Sequence, residues 1–373
     1  MRKDFQCIEA RMTIPRSAFH RASFLTLVIF LAATFVVADS VATKERTVTQ
    51  LAEGIYEIRH IDSPDTFPQS NTTVIIGSKS VLVVDSCLLP STTREDVEQI
   101  RKWTNKPVTY LLNTHWHFDH TLGNAVYAAA FPAVQIIAQT ATQKTIADFN
   151  PGAVVRYPSR AERFKKVLAS GKNPDGTPLT AADRTDYERS LAGLAPTVAE
   201  LKNAVQLVPN VSFDHELNID LGDRMVEIRH LGRGNTAGDT IAYLPKEKIL
   251  ITGDLLDHPV PYMFGGFPVD FVKTLWALMQ FDVQTVVPGH GDVLRDKSYL
   301  QQSMELMQAV NIEVEKEIND GKTLEEVQEG LPKVFDVKGW REKFAGTNTD
   351  DAGFFDESFA GLVRASYGQI KAR

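Results

Sequence analysis

Cysteine is almost missing: the 373-residue chain carries two, Cys7 and Cys87. Cys7 lies ahead of an apolar N-terminal run, so a processed chain would keep Cys87 alone and no internal disulfide is open to it. Cys87 is therefore expected to be a small buried residue, the usual place of a free thiol. Positive charge is also short, with 40 Lys and Arg against 47 Asp and Glu and a net charge of −7. Such a chain lacks the basic surplus of a nucleic-acid binder. There is no internal repeat, no low-complexity tract and no Gly-x-Ser-x-Gly elbow of a serine hydrolase. What is present is ordinary: 43% hydrophobic and 23% charged residues can bury a large core without disulfides.

The N-terminal run, Ala22 to Ala38, follows Arg16, His20 and Arg21 and ends near the small residues Ala38, Ser40 and Ala42. That is the layout of a secretory signal peptide over residues 1–42, and it implies an exported, periplasmic or secreted protein. Met12 would give a more typical start than Met1. Left uncleaved, the run reaches the lower limit of a membrane anchor, about 17 residues, and only then would the protein meet a membrane.

Beyond it, short apolar strands alternate with helices, the pattern of a layered α/β fold. Strands are predicted at 54–59, 73–76, 81–84, 108–112, 134–138, 226–230, 240–244, 249–252 and 285–287. Gly77-Ser-Lys-Ser80 between two of them marks a hairpin. A helix is predicted over 92–103. The stretch 148–202 departs from this rhythm. Ser159 with Glu162 and Thr180 with Asp183 read as capping boxes, with Asn173-Pro-Asp-Gly as a turn between them. It is expected to be a helical insertion, a candidate lid. Residues 295–373 are expected to form a helical C-terminal extension, with helices over 304–321, 324–331 and 357–370.

The densest chemistry is Thr114-His115-Trp116-His117-Phe118-Asp119-His120, directly after a strand. Side chains alternate along extended chain, so His115 and His117 face the same way. Two neutral imidazoles so placed make half of a tetrahedral zinc site. Asp119 and His120 follow a turn and can face a second cation. Without a metal, such clustering would gather repelling imidazolium groups at mildly acid pH.

His115-x-His117-x-Asp119-His120, running on to Gly123-Asn124, resembles the hallmark of the metallo-β-lactamase superfamily. Asp85 after an apolar strand, Gly234-Asn235-Thr236-Ala237-Gly238-Asp239, Thr252-Gly253-Asp254 and Pro288-Gly289-His290-Gly291 resemble its other motifs, in the same order. The resemblance covers roughly residues 48–294 and implies an αββα sandwich with the metals at one edge between two sheets. It implies His115 and His117 on a first metal, and Asp119, His120 and His290 on a second. Asp254 would bridge the two, and Asp85 would orient a ligand without touching a metal.

One position departs. The third motif normally supplies a histidine to the first metal, and here it is Asn235. An amide oxygen is a poorer zinc ligand than imidazole. The second site is therefore expected to bind more tightly than the first. His230 is nearby in sequence but sits on the preceding strand and is not expected to substitute.

The resemblance implies a metal-dependent hydrolase: zinc, two ions, with iron or manganese as alternatives. Water held between two cations becomes a nucleophile near neutral pH, and Asp119 would orient it and shuttle a proton. The expected substrate is a small organic molecule with an amide, ester or lactone carbonyl, β-lactams among them. Phe67, Asp257, His258, Tyr262, Met263, Phe264 and Phe267 are expected around the mouth, with Phe67, His258, Tyr262 and Phe264 touching substrate. The damaged first site also suits a mono-iron oxygenase, as in persulfide dioxygenases of the same fold, or a metal-binding protein without catalysis. The sequence specifies no oligomeric state.

Overall fold

The computed structural model describes residues 46–173 and 178–373. The segment read as a signal peptide, residues 1–42, lies outside the described residues, as do Cys7 and most of the Asn173-Pro-Asp-Gly turn. The strands are short runs of β-branched and aliphatic residues, which suit a pleated surface buried on one face or both. In chain order β1 (Thr47–Ala52), β2 (Ile55–Arg59), β3 (Thr72–Ile76), β4 (Val81–Val84), β5 (Val108–Leu112), β6 (Gln135–Gln139) and β7 (Val211–Phe213) form one seven-stranded sheet. The hairpin at Gly77–Ser80 is present, pairing Thr73 with Val84 and Ile76 with Val81. From β4 to β7 the strands run parallel. A five-stranded sheet follows, built from β8 (Glu216–Asp220), β9 (Met225–Arg229), β10 (Ile241–Leu244), β11 (Ile249–Asp257) and β12 (Thr285–His290) in the order β12-β11-β10-β9-β8.

The helices are α1 (Pro90–Trp103), α2 (Phe118–Thr121), α3 (Asn124–Ala130), α4 (Thr140–Arg156), α5 (Arg160–Ser170), α6 (Ala181–Leu201), α7 (Pro268–Leu278), α8 (Ser298–Asn319), α9 (Leu324–Val334), α10 (Val337–Ala345) and α11 (Thr349–Lys371). Three apolar cores separate four layers. Ile75, Leu82, Val84 and Leu112 of the first sheet meet Val226, Ile228, Ile249 and Ile251 of the second. Val83, Leu111 and Ile136 turn the other way, onto Val97 and Ile100 of α1 and Tyr127 of α3. Leu250 and Val286 pack outward against Leu275 of α7 and against Leu306, Val310 and Phe355 of the C-terminal helices. This is the αββα sandwich. The helices of residues 295–373 share a core with the second sheet, and Lys44–Arg373 is one compact unit. Among the described residues no helix is long and apolar enough to cross a membrane.

The insertion is helical, and Thr180 with Asp183 forms its capping box. Ser159 does not cap: its hydroxyl donates to the Arg156 carbonyl, and Glu162 pairs with Lys165 instead. The chain is already helical through α4 and a 3-10 turn, so Ser159 has no extended backbone from which to cap. Helix α6 lies on the loop before β3, where Thr66 Oγ1 meets Ser190 Oγ at 2.6 Å and the Asp65 N–H donates to Thr197. Gly193 lets the Pro64 carbonyl approach to a distance that a Cβ would block.

Candidate metal centre

The parallel strand β5 ends at Leu112, and the chain then turns across the mouth of the sandwich. Asp85, just after the neighbouring β4, fixes this turn. Its carboxylate accepts from the Thr114 N–H at 2.8 Å, the Thr114 hydroxyl at 2.7 Å and His120 Nδ1 at 2.8 Å. Asp85 holds φ at +61°, a left-handed value that costs a non-glycine residue on the order of 1 kcal/mol. The surrounding bonds, including Asp85 N–H to the Leu112 carbonyl, over-determine that conformation. Nδ1 of His120 is committed to Asp85, so Nε2 is the nitrogen turned toward Asp254, Asp119 and His290, the orientation usual for a metal-bound imidazole.

That Nε2 lies 3.0 Å from Asp254 Oδ1, 3.2 Å from His290 Nε2 and 3.6 Å from Asp119 Oδ2. His290 Nε2 is 3.2 Å from Asp119 Oδ2. His115 Nε2 and His117 Nδ1 approach Asp254 Oδ2 at 3.2 and 3.7 Å. His115, His120 and Asp254 are thus one group of close ligand atoms, and Asp119, His120 and His290 another. Asp254 lies within 3.0–3.7 Å of a ring nitrogen of all four histidines, so it could serve an ion held by either pair. His115 Nε2 and Asp254 Oδ1 are buried without a hydrogen-bond partner. Buried imidazole and carboxylate atoms that converge, two of them unpartnered, are what a divalent cation satisfies, so the residues fit a metal.

Protonation in this cluster follows from its own charges. Burial alone would push Asp119 up, but the neighbouring His120 and His290 hold it down at about 2. Burial works against charge on His290, yet Asp254 and Asp119 raise it to about 9. His117 is pushed below the usual histidine range by burial and by His115.

The sequence motifs bring all six His and Asp candidates together. Asn235 is buried, its Nδ2 without a partner, on the loop between β9 and β10 that packs against Gly266 and Phe267. His230 Nδ1 is bonded to the Asp239 carbonyl at 2.7 Å. Around the mouth, Tyr262 packs edge-on to His117 at 6.0 Å and against Phe264 at 5.0 Å. Phe67 stacks on Phe118 at 5.1 Å and meets Tyr157 of the insertion. His258 packs on Tyr299, with Nδ1 3.5 Å from Asp292. Met263, expected at the mouth, is instead buried in the outer core, because the loop turns its apolar side chain toward Phe271 and the C-terminal helices.

Two residues gain weight from the structure. Trp116 lies between the first two histidines in sequence and packs on both His117 and Phe149 of α4. Asp257, at the end of β11, joins Asp254 and His290 as a third group of close ligand atoms. Both of its carboxylate oxygens are buried without partners, and burial and then Asp254 push its pKa well up. Its signal was the spacing Asp254-x-x-Asp257, which an irregular strand end turns to one side.

The sequence model of the metallo-β-lactamase superfamily matches residues 65–290. The chain belongs to that superfamily, and at the level of the family it is a metal-dependent hydrolase. Among curated relatives it is 23% identical over 240 residues to a linear primary-alkylsulfatase of Pseudomonas sp. (strain ATCC 19151), covering 62% of this chain and 43% of that one. It is 25% identical over 247 residues to a type 2 metallo-β-lactamase of Bacillus cereus, covering 64% of this chain and 73% of that one. The chain thus spans less than half the length of the alkylsulfatase. Of solved structures, a stereoselective inverting sec-alkylsulfatase from Pseudomonas sp. superposes with a TM-score of 0.59 at 15% identity, over 87% of this chain and 50% of that one. A metallo-β-lactamase from Pontibacter korlensis gives 0.51 at 18% identity, over 71% and 99%.

Proposed function

We propose that this protein hydrolyses a carbonyl bond of a small organic substrate, an amide, ester or lactone of the β-lactam kind, with zinc held by His115, His117, Asp119, His120, Asp254 and His290. The observation that carries this is the convergence of four imidazoles and two carboxylates, with His115 Nε2 and Asp254 Oδ1 buried and unpartnered. Bound there, divalent cations supply Lewis acidity toward a carbonyl oxygen and a nucleophile drawn from water.

The remaining roles belong to the chain. Asp119 stays ionised and sits beside His290, placed to accept a proton from an attacking water and pass it to the leaving group. Tyr262 keeps its proton, since burial and then the nearby carboxylates raise its pKa, so its hydroxyl can donate to a developing oxyanion. Phe264 and Phe67 give the mouth an apolar side. Asn235 leaves the His115–His117 pair the weaker of two sites.

Sulfate-ester hydrolysis is the second reading, favoured by the similarity to an alkylsulfatase over 62% of the chain. The test is one panel on the chelated protein and on protein reloaded with zinc: a chromogenic cephalosporin, simple lactones and an alkyl sulfate. Zinc-restored turnover of the first two is expected. Turnover of the alkyl sulfate alone would replace the carbonyl reading with the second. Oxygen uptake with iron, and no hydrolysis, would overturn both.

A further inference from the structure

Asp257 stands beside the metal centre as a buried carboxylate with nothing to answer it. It is 5% exposed, and no donor reaches either of its oxygens. Proteins keep such a group hydrogen-bonded, ion-paired or on a metal, because burial otherwise leaves it unfavourable. Three other carboxylates of the centre are engaged. Asp85 accepts from Thr114 and His120, Asp119 faces His290 at 3.2 Å, and Asp254 lies among the four histidines.

The main chain around Asp257 is held from both sides. It ends β11 in parallel register with His290, the last residue of β12. The His258 N–H donates to the His290 carbonyl at 3.1 Å, and the Tyr299 hydroxyl donates to the Asp257 carbonyl. From there a carboxylate oxygen comes within 4.8 Å of ligand atoms on both Asp254 and His290. Ligands about 2.1 Å from one five- or six-coordinate ion stand roughly 3–4 Å apart, so the group fits a single cation with little movement. After its own burial, the charges that act most on Asp257 are those of Asp254, His290, His120 and Asp119. Asp119, His120 and His290 are the ligand set of the second ion.

We propose that Asp257 is a further ligand of the second ion, held there by five residues: Asp119, His120, Asp254, Asp257 and His290. That role rests, with the hydrolase reading, on a metal being bound at this centre. It gives the two sites an asymmetry with two causes. Asn235 stands where the first site would have an imidazole, and Asp257 adds an anionic oxygen to the second. Charge favours the same assignment. Asp119 and Asp254 set two negative charges against the four of two buried divalent cations, and Asp257 brings a third. Five protein ligands also take the second ion beyond the four-coordination of a closed structural zinc site.

Full-length protein is stripped of metal and titrated with cobalt(II), whose visible bands are intense in four-coordinate sites and weak in five- or six-coordinate ones. The first equivalent bound by the parent is expected to give weak bands. In Asp257→Asn, which keeps the shape of the side chain, the tighter binding step should lose more than about 100-fold in affinity. That exceeds the 10–100-fold, roughly, that removing a residue which only orients a ligand costs. The weaker step should not change. Intense four-coordinate bands at the first equivalent of the parent would overturn the assignment, and they decide it even if the variant fails to fold. So would a variant whose tighter step stays within about 100-fold of the parent's, or one that weakens both steps alike, as a structural fault does. Each of these results leaves the hydrolase reading standing, since metal still binds. A parent that takes up no metal removes both.

Discussion

Asp85 spends one carboxylate on three hydrogen bonds, to Thr114 N–H, Thr114 Oγ1 and His120 Nδ1. Asp85→Ala should therefore weaken metal binding by about 10–100-fold, the usual effect of removing the partner of a ligating histidine. Competition against a chromogenic chelator measures this, and unchanged affinity would show that the Thr114 turn holds itself. Asn235 gives the opposite prediction. Asn235→His should strengthen the weaker of two zinc-binding steps and bring it closer to the stronger, as read by calorimetric titration. If the original protein already binds two equivalents alike, Asn235 is a competent ligand and the asymmetry is wrong. At this scale the His115–His120 run was legible because its ligands are neighbours in sequence. The buried network of Arg46, Asp96, His60 and Cys87 was not, because its members meet only when the elements around β2, β4 and α1 pack. Asp257 stood next to a motif, but its burial beside Asp254 depends on the shifted register at the end of β11.

Strand β2 carries Glu57, which is 2% exposed with Oε1 unpartnered. Burial raises its pKa from 4.5 to about 7 against a weaker opposing hydrogen bond from Thr49. The folded state therefore holds this proton more tightly than the unfolded chain. Its contribution is fully present below pH 4.5 and is lost as pH rises toward 7, by about 3 kcal/mol in all. Glu57→Gln cannot titrate, so its stability relative to the parent should improve by up to that amount between pH 4.5 and 8. Urea unfolding of both proteins at the two pH values checks it, and a constant difference would mean that Glu57 is solvated. The same strand shows what pattern alone conveys. Apolar runs located β2 to β6 and β9 to β12 to within a residue or two at most ends, unbroken where both faces are buried, as in β4, and alternating where one is, as in β9. β1, β7 and β8, none buried along a whole face, were missed, since they offer no strong apolar run. Helix α7 was missed as well, although Pro268 at its first position is a helix-start signal.

For the molecule as a whole, the C-terminal helices raise the question of independence. Sequence pattern showed helices after residue 297 but not what they cover, since an amphipathic face does not name its partner. In the structure Phe355 of α11 is fully buried between Phe344 and Phe359, in a cluster that continues to Leu250 and Val286 of the second sheet. His290, one of the six metal-ligand candidates, ends the strand that carries Val286. The extension and the metal centre therefore share one core and should melt together. Phe355→Ala should cost about 3–5 kcal/mol, as expected for emptying a buried aromatic site. Calorimetry of the zinc-loaded protein should show a single transition that moves down as a unit in this variant. Zinc should be released within that same transition, because binding to the folded state alone links the two. A separate early transition for the helices, with zinc still bound through it, would make the extension a domain of its own.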